Sequence, residues 1–271
     1  MTFLSKTNSS YNMSSDTSPW GLHPFSNQKE IRLQWEQLRI RIVKRGSDLL
    51  LVENRDGSHS GIQLGAYPES DFRRYAFQSP VESIHVQPRT PDRPLVVQPI
   101  HPLRLAPRAK VEFYVSIPLD IQLFAGEGKS GERIERIRGE ILSDTWFGDL
   151  AGGVLCYAIK SRARRECPTI DSETTARALC KVEIHNRSIE QLHCTKFCLR
   201  LDHCHLWRSE ASLWTSPVHI RFNGNDQLSS IDYSEKAPSE APQATKITEA
   251  TEAPLSGLIR RTFAGLGNSL T

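Results

Sequence analysis

The chain has 271 residues, 38% of them hydrophobic and 24% charged, with 34 Lys and Arg set against 31 Asp and Glu for a formal charge of +3. This balance argues against a general electrostatic partnership with nucleic acid or membrane surfaces, and the length allows one large domain or two small ones. Its apolar runs fall short of the roughly 18 residues that a spanning helix needs, so no transmembrane segment is expected.

Residues 1–19 form a polar stretch rich in Ser, Asn and Thr. With neither a basic n-region nor an apolar h-region it reads as a disordered tail, not a secretory signal. From Lys29 onward, alternation of period two takes over. In QLRIRIVKR, Leu38, Ile40 and Ile42 alternate with Arg39, Arg41 and Val43, and KEIRLQW does the same with Ile31, Leu33 and Trp35. Successive side chains on a strand point to opposite faces, so this pattern predicts half-buried strands. LLLVENRDG ends on Asp56-Gly57, a pair that favours a tight hairpin turn.

ESIHV, PLVVQPI and KVEFYVSI continue the series, the last with Val111, Phe113, Val115 and Ile117 on one face. The prolines at 88, 91, 94, 99, 102 and 107 predict a meandering connection or a sheet edge, because proline cannot donate to a ladder. GVLCYAIK, TARALCKVEIHN, TKFCLRL and SPVHIRFNG complete the strands, and no helix of three turns is predicted before residue 250. The expected fold is all-β: a β-sandwich of many short antiparallel strands over residues 20–234.

Residues 235–254 are rich in Ala, Pro, Thr and Glu and nearly devoid of large apolar groups, which predicts a flexible linker. In residues 255–271, Leu255, Leu258, Ile259, Thr262, Phe263, Leu266 and Leu270 fall at helical spacing, with Arg260 and Arg261 off the stripe. A short amphipathic helix is expected there. Its three glycines would leave it ordered only against the core, a partner protein or a membrane face.

Chemistry-bearing residues concentrate in a few places. His193, Cys194, Cys198, His203, Cys204 and His205 are zinc-preferring types within thirteen residues, yet no C-x2-C pair is present. If TKFCLRL is a straight strand, Cys194 and Cys204 lie on the order of 30 Å apart, so one site could use only one end, for example His203 and His205. Structural cysteines are therefore expected, and no metal site is assigned. The six cysteines are irregularly spaced in a long chain without an export signal, which suggests reduced thiols and a cytoplasmic protein.

In LSDTWFGDLAGGVLCYA, Asp144 and Asp149 flank the aromatic pair Trp146-Phe147 in a turn that enters the strand at Val154. The two carboxylates either supply a general acid and base or close local turns while Trp146 packs inward. Asp144, Trp146, Phe147 and Asp149 are the candidate binding residues, and no catalytic residue is assigned. Gly126, Gly128 and Gly131 match a dinucleotide fingerprint in spacing, but no helix or βαβ unit follows, so a hairpin loop is expected. Lys160 to Arg165 is a basic cluster without interleaved aromatics, read as a solvated loop and not a nucleic-acid surface. No G-x-S-x-G elbow, phosphate loop or H-E-x-x-H occurs, and the residues name no cofactor.

Pro102-Leu103-x-Leu105, Pro118-Leu119-Asp120-Ile121, SDTWFGDLAGGVLCYA, LWTSPVHIRFNG at 213–224 and the following Asp226-Gln227 carry a family likeness. From about residue 20 to about residue 238 the chain resembles the domain of unknown function 432 family. The resemblance implies a prokaryotic, soluble, mainly β domain without an assigned chemistry. It also hints at a mechanosensitive channel as partner, because members are sometimes encoded near small channels of that kind. The His/Cys cluster lies outside the family pattern.

Two functional readings stand at this level. One is a binding or regulatory module that acts through a partner protein, offering a sheet face, the Trp146 turn or the C-terminal segment. The other is a hydrolase or lyase using the paired carboxylates, with or without a metal.

Overall fold

In a computed structural model of the chain, the structure describes residues 18–25, 29–55, 71–127, 131–149, 152–210, 212–224, 228–253, 258–260 and 262–264. Asp56-Gly57 lies outside them. Strands are numbered β1 to β23 in chain order among the described residues, and the fold is all-β.

The alternating segment at the start forms a meander: β2 (Glu30–Trp35), β3 (Leu38–Arg45), β4 (Asp48–Asn54) and β5 (Arg73–Ala76) pair in sequence, each antiparallel to the next. The residues predicted inward, Ile31, Leu33, Trp35, Leu38, Ile40 and Ile42, all enter the main core. A second antiparallel sheet runs β1 (Gly21–Pro24), β6 (Ser83–Arg89), β10 (Asp120–Ala125), β11 (Glu132–Arg138). The glycine motif joins β10 to β11 as a hairpin, with Gly126 at φ +93°, a conformation that favours glycine. Gly128 lies outside the described residues.

The largest sheet is organised around β14 (Arg177–Asn186). Along one edge β9 (Lys110–Pro118) pairs antiparallel from Arg177↔Pro118 to His185↔Lys110. Along the other edge lie β18 (Ser212–Thr215) and β19 (Val218–Phe222), both parallel to β14. The sheet continues on one side through β17 (Leu206–Ser209) to β21 (Thr245–Thr248), and on the other through β20 (Ser229–Tyr233) to β22 (Leu258–Arg260). Its inner face (Val111, Phe113, Val115, Ile117, Ala178, Cys180, Val182, Ile184) joins the main core. Its outer face carries a separate cluster of Tyr114, Leu179, Trp214 and Ala241.

The remaining five-stranded sheet has the order β12 (Ser143–Phe147), β13 (Val154–Ala163), β7 (Leu95–Pro99), β16 (Lys196–Leu199), β23 (Phe263–Ala264). Phe197 and Leu199 of β16 face the main core, while Cys198 faces a satellite cluster with Val96, Phe147 and Cys156. The chain also forms a short pair, β8 (Leu103–Leu105) with β15 (Leu192–Cys194). Its one α-helix among the described residues is a single turn, α1 (Ser172–Thr175), capped by the Asp171 side chain, which accepts from Glu173 N at 2.9 Å.

Two expectations are corrected. The stretch 235–254, predicted as a flexible linker, is built into the fold over its described residues. Ala241 and Thr248 are buried, β21 pairs with β17, and Lys181 Nζ reaches Glu240 at 2.8 Å. Thr248 Oγ1 donates to Pro88 O at 3.0 Å, Gln87 Nε2 to Ile247 O at 3.2 Å and Arg89 to Glu249 O at 2.8 Å, so this strand also ties the large sheet to β6. Ladder hydrogen bonds, small side chains seated by the outer cluster and one large apolar group, Ile247 packed against the main core, hold it in place. Over the described residues of the C-terminal segment strands stand where a helix was expected: Leu258–Arg260 pairs with β20 and Phe263–Ala264 with β16, while 255–257, 261 and 265–271 lie outside the described residues. Those open sheet edges offer hydrogen bonds that a three-glycine helix could not match.

Candidate functional site

β12 is an edge strand of its sheet, paired with β13 alone among the described residues. Asp144 and Trp146 point to one face and Phe147 to the other, as the period of two requires. In the β12–β13 register Trp146 sits opposite the exposed Leu155, and Asp144 opposite Tyr157, whose ring is buried in the main core. Trp146 is 46% exposed, Leu155 is comparably open, and Ile141 just before β12 is 79% exposed. Asp144 is held by Arg93 at 2.9 Å. Arg93 also lies over the Tyr157 ring, 5.2 Å from its centroid, and Arg138 does the same at 4.9 Å. Burial and the hydrogen bond to Asp92 raise the Tyr157 phenol above its ordinary pKa, so it remains a neutral donor.

The turn between β12 and β13 holds the tryptophan in place. Trp146 Nε1 donates to Asp149 O at 2.9 Å, Gly153 N donates to the same carbonyl at 2.9 Å, and Gly152 N donates to Asp149 Oδ1 at 2.5 Å. A Cβ on Gly153 would collide with the indole nitrogen and with Asp149 O. The indole is therefore a preorganised, half-exposed plate.

The structure brings together only some of the candidate residues. Trp146 and Asp144 share the exposed face. Phe147 is buried in the satellite cluster, and the Asp149 carboxylate is engaged by its own turn. The two carboxylates thus have different partners and different tasks. What the sequence suggested as a turn around Trp146 is a strand, with the turn beginning at Gly148.

The His/Cys run is likewise dispersed. Cys194 and Cys204 enter the main core, Cys198 lies in the satellite cluster, and His193 is hydrogen-bonded to Gln191 at 2.7 Å. All six cysteines are free thiols. Cys156 and Cys198 bring their sulfurs to 3.9 Å, but they stand on β13 and β16, the strands that flank β7, so their backbones are two ladder spacings apart, too far to bridge. His205 accepts from Ala250 N at 3.0 Å through Nδ1. His203 meets Asp202 and Glu252, a carboxylate some fifty residues away that sequence reading assigned to the linker.

The basic cluster, predicted as a loop, lies largely on β13. Arg162 and Arg164 line a cavity of about 240 Å³ together with Tyr114, Ser116 and Ser161. No helix among the described residues is long and apolar enough to cross a membrane.

Compared with known proteins, residues 19–266 match the family model for proteins of unknown function designated DUF432. No curated protein and no solved structure matches the chain.

Proposed function

The chain belongs to the DUF432 family, and we propose that it is a binding module that captures an extended segment of a partner protein along the edge strand β12. The observation that carries this reading is the half-exposed Trp146, fixed by its own hydrogen bond on an edge whose outer backbone groups face away from β13. An unpaired edge is a template for strand addition, in which backbone bonds supply affinity and alternate side chains supply specificity. A rigid aromatic loses little entropy on contact and is the residue type enriched at binding hot spots. Leu155 and Ile141 extend the apolar contact, and Asp144 with Arg93 gives it a polar rim. Six free thiols fit a reducing compartment, which favours the cytoplasm as the place of action.

The partner implied by the family resemblance, a mechanosensitive channel, is the first to present. The test is binding of its cytoplasmic portion by wild type, Trp146→Ala and Ile189→Ala, the last an exposed apolar residue on another part of the surface. The reading expects at least a ten-fold loss for Trp146→Ala, no change for Ile189→Ala, and slowed amide exchange in Ser143–Phe147 on binding. A partner captured equally well by Trp146→Ala would overturn the β12 edge as the docking site.

A further inference from the structure

We propose that Asp202, His203 and Glu252 form a site for one divalent transition-metal ion of the zinc class, joining the turn after β16 to the segment after β21. His203 is only 3% exposed, and its ring lies 5.1 Å from that of Tyr233. Its Nδ1 is 2.8 Å from Ala253 O. A carbonyl only accepts, so Nδ1 carries a proton, and Nε2 is the ring nitrogen left to offer a lone pair to a metal. A backbone carbonyl on the remote nitrogen is the usual way a metal-binding histidine is oriented.

Nε2 faces Glu252 Oε2 at 3.6 Å and Asp202 Oδ1 at 4.0 Å, and the three atoms lie within 4.8 Å of one another. An imidazolium hydrogen-bonded to a carboxylate draws in to about 2.7–2.9 Å. A four-coordinate ion with bonds of about 2.1 Å holds its ligand atoms about 3.4 Å apart. The spacing at His203 is nearer the second case. Backbone geometry sets it independently, because Glu252 N donates to Asp202 O at 2.9 Å and aligns the two segments.

A second observation points the same way. Asp202 Oδ1 is buried without a hydrogen-bond partner, and so is the hydroxyl of the deeply buried Tyr233, whose ring packs on the imidazole. Unsatisfied buried polar atoms are costly, and a bound cation would satisfy the carboxylate oxygen directly. One imidazole and two carboxylates suit a first-row divalent ion better than thiol-seeking copper(I). Cys204 is no ligand, since its sulfur turns toward Ser216 O at 3.8 Å. Because the side chains of Asp202 and Glu252 are 40% and 63% exposed, the outward positions of the ion stay open to water or an oxyanion.

The experiment titrates Zn²⁺ into the untagged full-length chain by calorimetry, alongside Asp202→Asn, Glu252→Gln and the distant control Glu210→Gln. Nitrogen NMR of the histidines follows His203. The site predicts one equivalent bound, affinity lowered at least ten-fold by each ligand substitution but not by the control, and a Zn²⁺-dependent shift of Nε2. Three results overturn it: no stoichiometric uptake, uptake indifferent to Glu252→Gln, or a doubly protonated His203 that ignores Zn²⁺. Should Asp202→Asn fail to fold, the exposed Glu252→Gln decides alone.

Discussion

Trp146 donates its indole N–H to the carbonyl of Asp149, three residues ahead, and the same carbonyl accepts the backbone N–H of Gly153. Two donors therefore converge on one carbonyl oxygen, and Gly153 is glycine because any side chain there would occupy the place of the indole. Gly153→Ala should push Trp146 off the turn and cost about 1–3 kcal/mol, typical of overpacking. Tryptophan fluorescence and urea denaturation of that variant check both parts, and an unshifted spectrum with unchanged stability would contradict them.

Neighbours in sequence, Trp146 and Phe147 should behave as opposites on substitution. Phe147→Ala empties the satellite cluster formed with Val96, Cys156 and Cys198, and should destabilise the fold by about 3–5 kcal/mol. Trp146→Ala removes an exposed plate and one hydrogen bond, so its cost should stay near 1 kcal/mol while binding is lost. Paired denaturation curves decide.

Acid should weaken the fold through His23 and His85, on β1 and β6. Burial pulls both imidazoles below their ordinary pKa of 6.5, and for His23 the nearby His85 adds to the effect. A histidine whose pKa is depressed in the folded state takes up its proton more readily when unfolded. Its contribution is complete above pH 6.5 and is lost as the pH falls through the depressed folded-state values. Urea midpoints at pH 7.5 and 5.5 should show this fall, and the double variant His23→Gln/His85→Gln should flatten it.

Cutting the chain after Tyr233 should be damaging. The excised part includes Ala241 against the Trp214 cluster and β21 against β17, together with the bonds from Thr248 to Pro88 and from Arg89 to Glu249. The truncated protein should melt several degrees lower, and limited proteolysis of the full chain should spare 235–253. A truncation that melts with the full-length protein would restore the linker reading.

Much of the fold was legible because strands write their inside and outside at alternate positions. Ile31 to Ile42 and Val111 to Ile117 entered the core as the pattern required. Pattern reading fails where burial does not use large apolar groups. Ala241 and Thr248 are buried by virtue of being small, in a composition that otherwise resembles disorder. It fails equally at the C-terminus, where Leu258 and Phe263 fit a helical stripe but the sheet supplies open edges. The Trp146 face was visible as an aromatic between carboxylates, although its strand character and the inward turn of Phe147 were not. His203 was visible as one of a crowd. Its partner Glu252 was not, because only the pairing of β21 with β17 brings that carboxylate near.

The pairing of β22 with β20 and of β23 with β16 has a consequence for biosynthesis. A ribosome releases residues 95–99 and 196–199 long before 258–264, so β7 and β16 can pair while the far edge of β16 still lacks its neighbour. During that interval the nascent chain presents two uncovered strand edges, at β16 and β20, each able to recruit a second nascent chain. The late strands act as a seal on these two edges, and any stop codon or nick upstream of Leu258 leaves both of them exposed.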